Sequence, residues 1–397
     1  VSILLKNIKT LVQVEQKPRL LVKGSEMQQL ACMDDAYLFL EGDKIKSFGK
    51  MRDMPAGITA DITLDATGKT VFPSWCDSHT HLVYAGSRET EFTDRIRGLS
   101  YEDIARRGGG ILNSAKKLRE AGEDELIESA RRRLEEIMLT GTGAVEIKSG
   151  YGLSMESELK MLRVIQKLKS LSPLTLKATF LGAHAVPEEY KDRKEQYIDL
   201  LIKEMIPAVA TENLADYCDV FCERNYFTQT ETEKILSAAS SHGMLPKVHA
   251  NQLSRSGGVQ AGVNCKAISV DHLEFVDTEE IAALLNSETM PTLLPGAQWF
   301  LQLPYPPARR MIDAGLPVAL ASDYNPGSSP SGNMNFMISA ACVQYKMTPE
   351  EAINAATINT AYAMGLSKTH GSIAAGKHAN VFITKEIPGY TYLPYSF

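Results

Sequence analysis

Asp77-Ser78-His79-Thr80-His81 is the densest group of chemistry-bearing side chains in the sequence. In extended backbone, residues two apart point to the same side, so both imidazoles of a His-x-His pair can reach one metal ion. Three more histidines, His184, His249 and His272, each end or follow a short apolar run, and Asp323 follows another. His79, His81, His249 and Asp323 together offer three nitrogens and one oxygen, a set that suits zinc or iron(II) and leaves room for water. A cation so held lowers the pKa of water to ~7 and stabilises a developing oxyanion, which is hydrolytic chemistry. Alone, a His-x-His pair is more often satisfied or solvent-facing; the matching ligands elsewhere reverse that reading.

Such distant segments meet only if the fold brings them together. From about Val71 to about Gly365, short apolar runs alternate with amphipathic stretches, the pattern of repeated β-α units. Eight runs read as strands: Val71 to Cys76, Ala144 to Lys148, Leu174 to Phe180, Tyr217 to Cys222, Leu245 to His249, Ala267 to Asp271, Met290 to Leu294 and Pro317 to Ser322. Helical patterns fall between them at Asp124 to Leu139, Glu156 to Lys169, Arg193 to Ile206, Thr230 to Ser240 and Thr278 to Leu285, with capping residues at Ser154 and Thr228. The pattern predicts an α/β fold, a (β/α)8 TIM-type barrel, whose active sites stand at the C-terminal ends of the strands. His79 and His81 follow the first strand, His184 the third, His249 ends the fifth, His272 follows the sixth and Asp323 the eighth, so all six face one mouth. The remaining histidines, His242, His370 and His378, read as surface or capping residues.

Before the barrel, Ile3 to Val12, Leu20 to Val22, Tyr37 to Glu41 and Lys44 to Phe48 read as strands, and Asn380 to Ile383 reads as one after it. The two chain ends are therefore expected to form a smaller discontinuous β-sandwich domain, residues 1–64 and 367–397, around a barrel over residues 65–366. Of 397 residues, 44% are hydrophobic and 23% charged, the composition of a folded soluble protein. The formal net charge of −6 lacks the basic footprint of a nucleic-acid binder. No apolar run approaches the ~18 residues of a membrane span, and Val1 to Val14 lacks a secretory apolar core, so a cytoplasmic location is expected. Six cysteines without a C-x-x-C pair read as core thiols.

With its His-x-His after strand one, histidines after strands five and six and Asp after strand eight, the chain resembles the amidohydrolase superfamily. Within it, Val71 to Leu82, Glu146 to Leu153, Phe180 to Pro187 and Ser322 to Ser328 resemble the imidazolonepropionases. The resemblance covers nearly the whole chain. It implies hydrolysis of the cyclic amide of 4-imidazolone-5-propanoate to N-formimidoyl-L-glutamate, the third step of histidine degradation, by a homodimer. It implies one divalent or trivalent metal ion per chain, zinc or iron, on His79, His81, His249 and Asp323. Asp323 would also carry the proton to the leaving nitrogen, and His272 would polarise the carbonyl or share the proton work. Arg88, seven residues past His81, is expected to pair the propanoate with its planar fork. Tyr151, His184, Asn325, Gly327 and Ser328 are carried over as ligand contacts.

Two departures are informative. Two-metal relatives carry a bridging Lys after strand four, but here Val220 to Arg224 has none, which implies one metal, with Glu223 the weaker candidate for a second. Gln252 stands where ring deaminases, and many imidazolonepropionases, carry a proton-shuttling Glu. A Gln orients substrate by hydrogen bonds but carries no proton. That weighs against the rival reading of a ring deaminase, while another mononuclear amidohydrolase acting on an anionic cyclic amide stays open. A catalytically dead relative is disfavoured because all four ligands are present.

Overall fold

The computed structural model describes residues 1–99 and 109–396. The chain-end strands are β1 (Ser2–Val12), β2 (Cys32–Glu41), β3 (Lys44–Lys50), β4 (Ile62–Asp65), β5 (Lys69–Pro73) and, at the far end, β14 (Val381–Glu386). They form one six-stranded sheet rather than two facing ones. The reason is β1, which pairs antiparallel with β2 along one edge and parallel with β4 and then β5, joining what would otherwise separate. Leu5, Ile8, Leu11, Leu38, Val71 and Ile373 form its own apolar cluster. The stretch read as the first barrel strand is divided: Val71 to Pro73 belongs to β5 in this sheet, and the barrel begins at Trp75.

The barrel strands are β6 (Trp75–Thr80), β7 (Thr142–Lys148), β8 (Thr175–Ala183), β9 (Tyr217–Cys222), β10 (Leu245–Ala250), β11 (Ser269–His272), β12 (Met290–Leu293) and β13 (Ala319–Leu320). All eight are parallel neighbours in sequence order. Helices Glu123–Leu139, Met155–Leu171 and Gln229–Ser241 bury one face each against them. Ser154 caps the second through the Ser157 amide, and Thr228 forms a capping box with Glu231 at the third, as the sequence indicated.

Several expectations change. The single helix read over Arg193 to Ile206 is Lys194–Leu200, a wide π-type turn Leu201–Met205, and Ile206–Thr211. Pro207 explains it, since its ring displaces the carbonyl one turn back and it has no N–H to donate. Leu20 to Val22 is not a strand; Val22 is pinned instead by Asn359, whose side chain both accepts from its N–H (2.9 Å) and donates to its carbonyl (3.0 Å). Cys76, Cys218 and Cys222 are buried, but Cys32 is exposed and Cys265 and Cys342 are half-buried. His242 caps a helix end as expected, whereas His370 is buried, held between Thr175 Oγ1 (2.9 Å) and Thr369 Oγ1 (2.8 Å). Among the described residues, no helix is long and apolar enough to cross a membrane.

Candidate metal centre and active site

The barrel closes where its chemistry sits. The Asp323 amide donates to the His79 carbonyl (3.0 Å) and the His81 amide to the Tyr324 carbonyl (2.9 Å), tying the loop after β13 to the end of β6. Asp323 adopts φ +54°, a left-handed conformation that a short polar side chain tolerates better than most. Its carboxylate is thereby turned to the two histidines: Oδ1 lies 3.6 Å from both His79 Nε2 and His81 Nε2. His81 Nε2 is 3.3 Å from His79 Nε2 and 3.4 Å from His249 Nε2. His272, also in left-handed backbone at φ +87°, brings a ring nitrogen into the same cluster with His79 and Asp323.

This donor set fits a metal cation. His79 Nδ1 is held by Asp271 Oδ2 at 2.7 Å and His249 Nδ1 lies 2.9 Å from Asp219 Oδ2, so the Nε2 lone pairs are the ones turned inward. Burial, reinforced by Lys148 beside His79 and by His184 beside His81, holds both imidazoles well below the usual histidine pKa, in the neutral form that ligates. With Nδ1 of His79 and His249 turned to carboxylates, the Nε2 atoms that face each other at these distances are placed to share one cation.

Below the histidines lies a buried ionic layer. Lys148 Nζ contacts Glu146 Oε1 (2.6 Å) and Asp219 Oδ2 (2.8 Å), and approaches Asp271 Oδ2 at 3.7 Å. Lys247 pairs with the other oxygen of Glu146 and donates to the Ser78 carbonyl at 3.1 Å. The Thr179 hydroxyl also donates to Glu146 Oε1 (2.6 Å), and the Ser269 hydroxyl donates to Asp271 Oδ1 (2.6 Å). Despite burial, His249 and Lys148 hold the Asp219 carboxyl well below its usual range.

Above them opens a cavity of about 530 Å³. Every ligand and contact residue named from the sequence except His79 lines it, Gln252 included. His184 Nδ1 faces the Gly150 carbonyl at 3.1 Å, and burial with the His249 ring pushes its pKa down to about 3, so a neutral ring presents Nε2 as an acceptor. Gly150 has φ +105°, and a Cβ there would strike His184 Nδ1 and the Leu181 carbonyl. Burial raises the Tyr151 phenol, which stays protonated. Burial likewise raises Asp323, whose Oδ2 accepts from Ser328 Oγ (2.9 Å) while Asn325 Nδ2 donates to its carbonyl (2.6 Å). For His272, burial lowers the pKa but Glu274, 3.5 Å away, Asp323 and Asp271 outweigh it and raise it. Arg88 donates to Glu91, and its buried Nε has no partner among the described residues. Glu223 turns away from the cluster: its carboxylate accepts from the amides of Arg224 (2.7 Å), Leu253 (2.8 Å) and Ser254 (3.2 Å), which occupies it in shaping the loop after β10.

Sequence reading missed Lys148, Glu146, Asp219, Lys247 and Asp271, the supports of the ligands. The signal existed: charged residues alternate at period two within otherwise apolar strands, as in Glu146-Ile147-Lys148 and Lys247-Val248-His249. Glu274 and Arg95, which also lines the cavity, carried no such signal.

Comparison with known proteins follows the same lines. A profile of the amidohydrolase family matches residues 70–394. An imidazolonepropionase of Christiangramia forsetii is 59% identical over 396 residues, spanning 100% of this chain and 96% of its own. One of Flavobacterium johnsoniae is 58% identical over 394 residues, spanning 99% and 96%. One of Alkaliphilus oremlandii is 41% identical over 403 residues, spanning 100% and 94%. Among solved structures, a triazine hydrolase variant superposes with TM-score 0.70 at 16% identity, covering 98% of this chain and 87% of that one. A zinc-bound adenosine deaminase from Xanthomonas campestris does so with TM-score 0.69 at 14% identity, covering 99% and 88%. At such identities these two share the fold alone.

Proposed function

The chain belongs to the amidohydrolase family and within it to the imidazolonepropionases, and from that membership we propose how its residues hydrolyse 4-imidazolone-5-propanoate to N-formimidoyl-L-glutamate in histidine degradation. The family is metal-dependent, and the observation that carries the reading is the convergence of three imidazole Nε2 atoms and Asp323 Oδ1 on the floor of one cavity. His79, His81, His249 and Asp323 would hold one zinc or iron ion. When bound, that ion makes water acidic near neutral pH and offers positive charge to an oxyanion.

The chain's own groups do the rest. Arg88 receives the propanoate, a cation with a buried N–H still wanting an acceptor. His184 Nε2 accepts from a ring N–H, while Gln252 and Tyr151 fix the plane of the imidazolone. The attacking water adds its hydroxyl to the ring carbonyl carbon and gives its proton to Asp323, whose raised pKa suits a group that must both take and return it. His272, whose carboxylate neighbours favour its protonated form, donates to the developing oxyanion. The C–N bond then breaks, and Asp323 returns the proton to the departing amidine nitrogen, leaving a carboxylic acid, which gives up its proton to the basic formimidoyl group or to solvent.

The same reading includes a cytoplasmic homodimer and a division of the chain into the barrel and the chain-end sheet, each with its own apolar cluster. The test is to add metal-loaded protein to freshly generated imidazolonepropionate. Ring ultraviolet absorbance should fall faster than in a no-enzyme control, mass spectrometry should find N-formimidoylglutamate, and a chelator should stop the reaction. Metal analysis should give about one equivalent per chain. No acceleration with metal bound would move the assignment to other anionic cyclic amides.

A further inference from the structure

Arg88, Glu91 and Arg95 are spaced three and four apart at the start and along one face of helix Glu89–Ile96, and all three line the cavity. Glu91 is 8% exposed and is already committed: Arg88 donates to one oxygen and the Gly110 amide to the other at 3.0 Å. The Arg88–Glu91 pair is therefore electrically neutral before any ligand arrives. A propanoate entering beside it adds a negative charge that Arg88 alone does not balance, and an unbalanced charge out of water is costly. Among the described residues, Arg95 is the other cation lining that end. Its Nη2 donates to the Gly327 carbonyl at 2.9 Å, and its guanidinium sits 5.1 Å from the Phe300 ring centroid, which fixes it against the wall. Gly327 passes close enough to Arg88 that a Cβ would strike its Nη1, so both guanidinium groups gather around one glycine.

We propose that Arg95 is a specificity-determining residue, the second cation of the carboxylate subsite, which balances the substrate's negative charge once Glu91 has neutralised Arg88. This rests on the imidazolonepropionate reading above and names the part of the site that selects an anionic side chain over a neutral one of the same shape. Arg95 also grips the loop whose Asn325 and Ser328 hydrogen-bond Asp323, so a merely structural role has to be separated from a charge role.

The experiment compares Arg95→Gln and Arg95→Lys with the parent, measuring binding of imidazole-4-propanoate and of its uncharged primary amide by calorimetry on the metal-loaded protein, beside turnover of imidazolonepropionate. Arg95→Gln keeps an N–H donor for Gly327 and loses the charge. It is expected to weaken the carboxylate roughly tenfold to hundredfold while changing the amide less than about threefold, and Arg95→Lys should recover most of the loss. Equal weakening of both ligands, or none, overturns the proposal. Parent protein that turns over imidazolonepropionate with no preference for carboxylate over amide overturns it too and leaves the functional reading intact. Parent protein that neither binds the carboxylate nor turns over the substrate overturns both.

Discussion

Lys148 Nζ lies 2.8 Å from Asp219 Oδ2, and the same oxygen lies 2.9 Å from His249 Nδ1. The ammonium also approaches Asp271 Oδ2 at 3.7 Å, which holds His79 Nδ1 at 2.7 Å. One buried cation thus stands behind two carboxylates, and each carboxylate stands behind a different imidazole of the metal centre. Outer partners of this kind orient ligating rings and fix which nitrogen faces the ion.

Lys148→Met leaves Glu146, Asp219 and Asp271 buried together, with Lys247 as the one compensating ammonium among the described residues of this layer. We expect metal retention after dialysis against a chelator to fall about 10- to 100-fold and stability to drop by about 3–5 kcal/mol. Metal content by elemental analysis and the unfolding midpoint check both. Retention equal to the parent's would show that Asp219 and Asp271 hold the histidines without it.

Gln252 lines the cavity, and a Gln side chain cannot carry a proton. If it only orients the ring, Gln252→Glu should leave kcat within about threefold, since hydrogen-bonding capacity is largely kept. A large gain would mean that proton transfer limits this chain and that Asp323 and His272 do not suffice.

Gly327 owes its identity to Arg88, whose Nη1 occupies the space of a side chain. Gly327→Ala should push the guanidinium aside and raise KM about tenfold with a smaller effect on kcat, because the contact is remote from the scissile bond. Steady-state kinetics separates the two. An unchanged KM would remove Arg88 from the propanoate site.

The candidate ligands were legible in the sequence because each stands at the end of an apolar run, where a histidine or aspartate has no packing role to play. His79, His81, His249 and Asp323 could be found without knowing how the strands are ordered. The supports left only the period-two alternation of charges in apolar strands: Lys148 on β7 meets Asp219 on β9 and Asp271 on β11, alternate strands of the barrel, and sequence spacing does not encode that approach. Arg95 was hidden for a different reason, since an arginine on an amphipathic helix normally faces solvent. The first barrel strand was misplaced because β5 and β6 are one continuous apolar stretch, Val71 to Cys76, and only the turn of the chain at Ser74, whose amide donates to the Asn380 carbonyl at 2.9 Å, divides it. The buried position of His370 followed from a contact with Thr175, far away in the chain.

That burial has a consequence for acid stability. Desolvation, with His378 and Lys377 nearby, pushes the His370 pKa down to about 4, against an unfolded value of ~6.5. The unfolded chain therefore binds the proton first as pH falls, so the stabilisation is complete above about pH 6.5 and is lost progressively down to about pH 4. Between about pH 8 and about pH 5 this one group should remove about 2 kcal/mol. His370→Gln lacks the titration, so the decline in unfolding free energy over that interval should be shallower than the parent's by that amount, with its other histidines contributing equally to both proteins. Denaturant titrations at the two pH values measure it, and parallel declines would show that His370 takes up its proton without cost in the folded state.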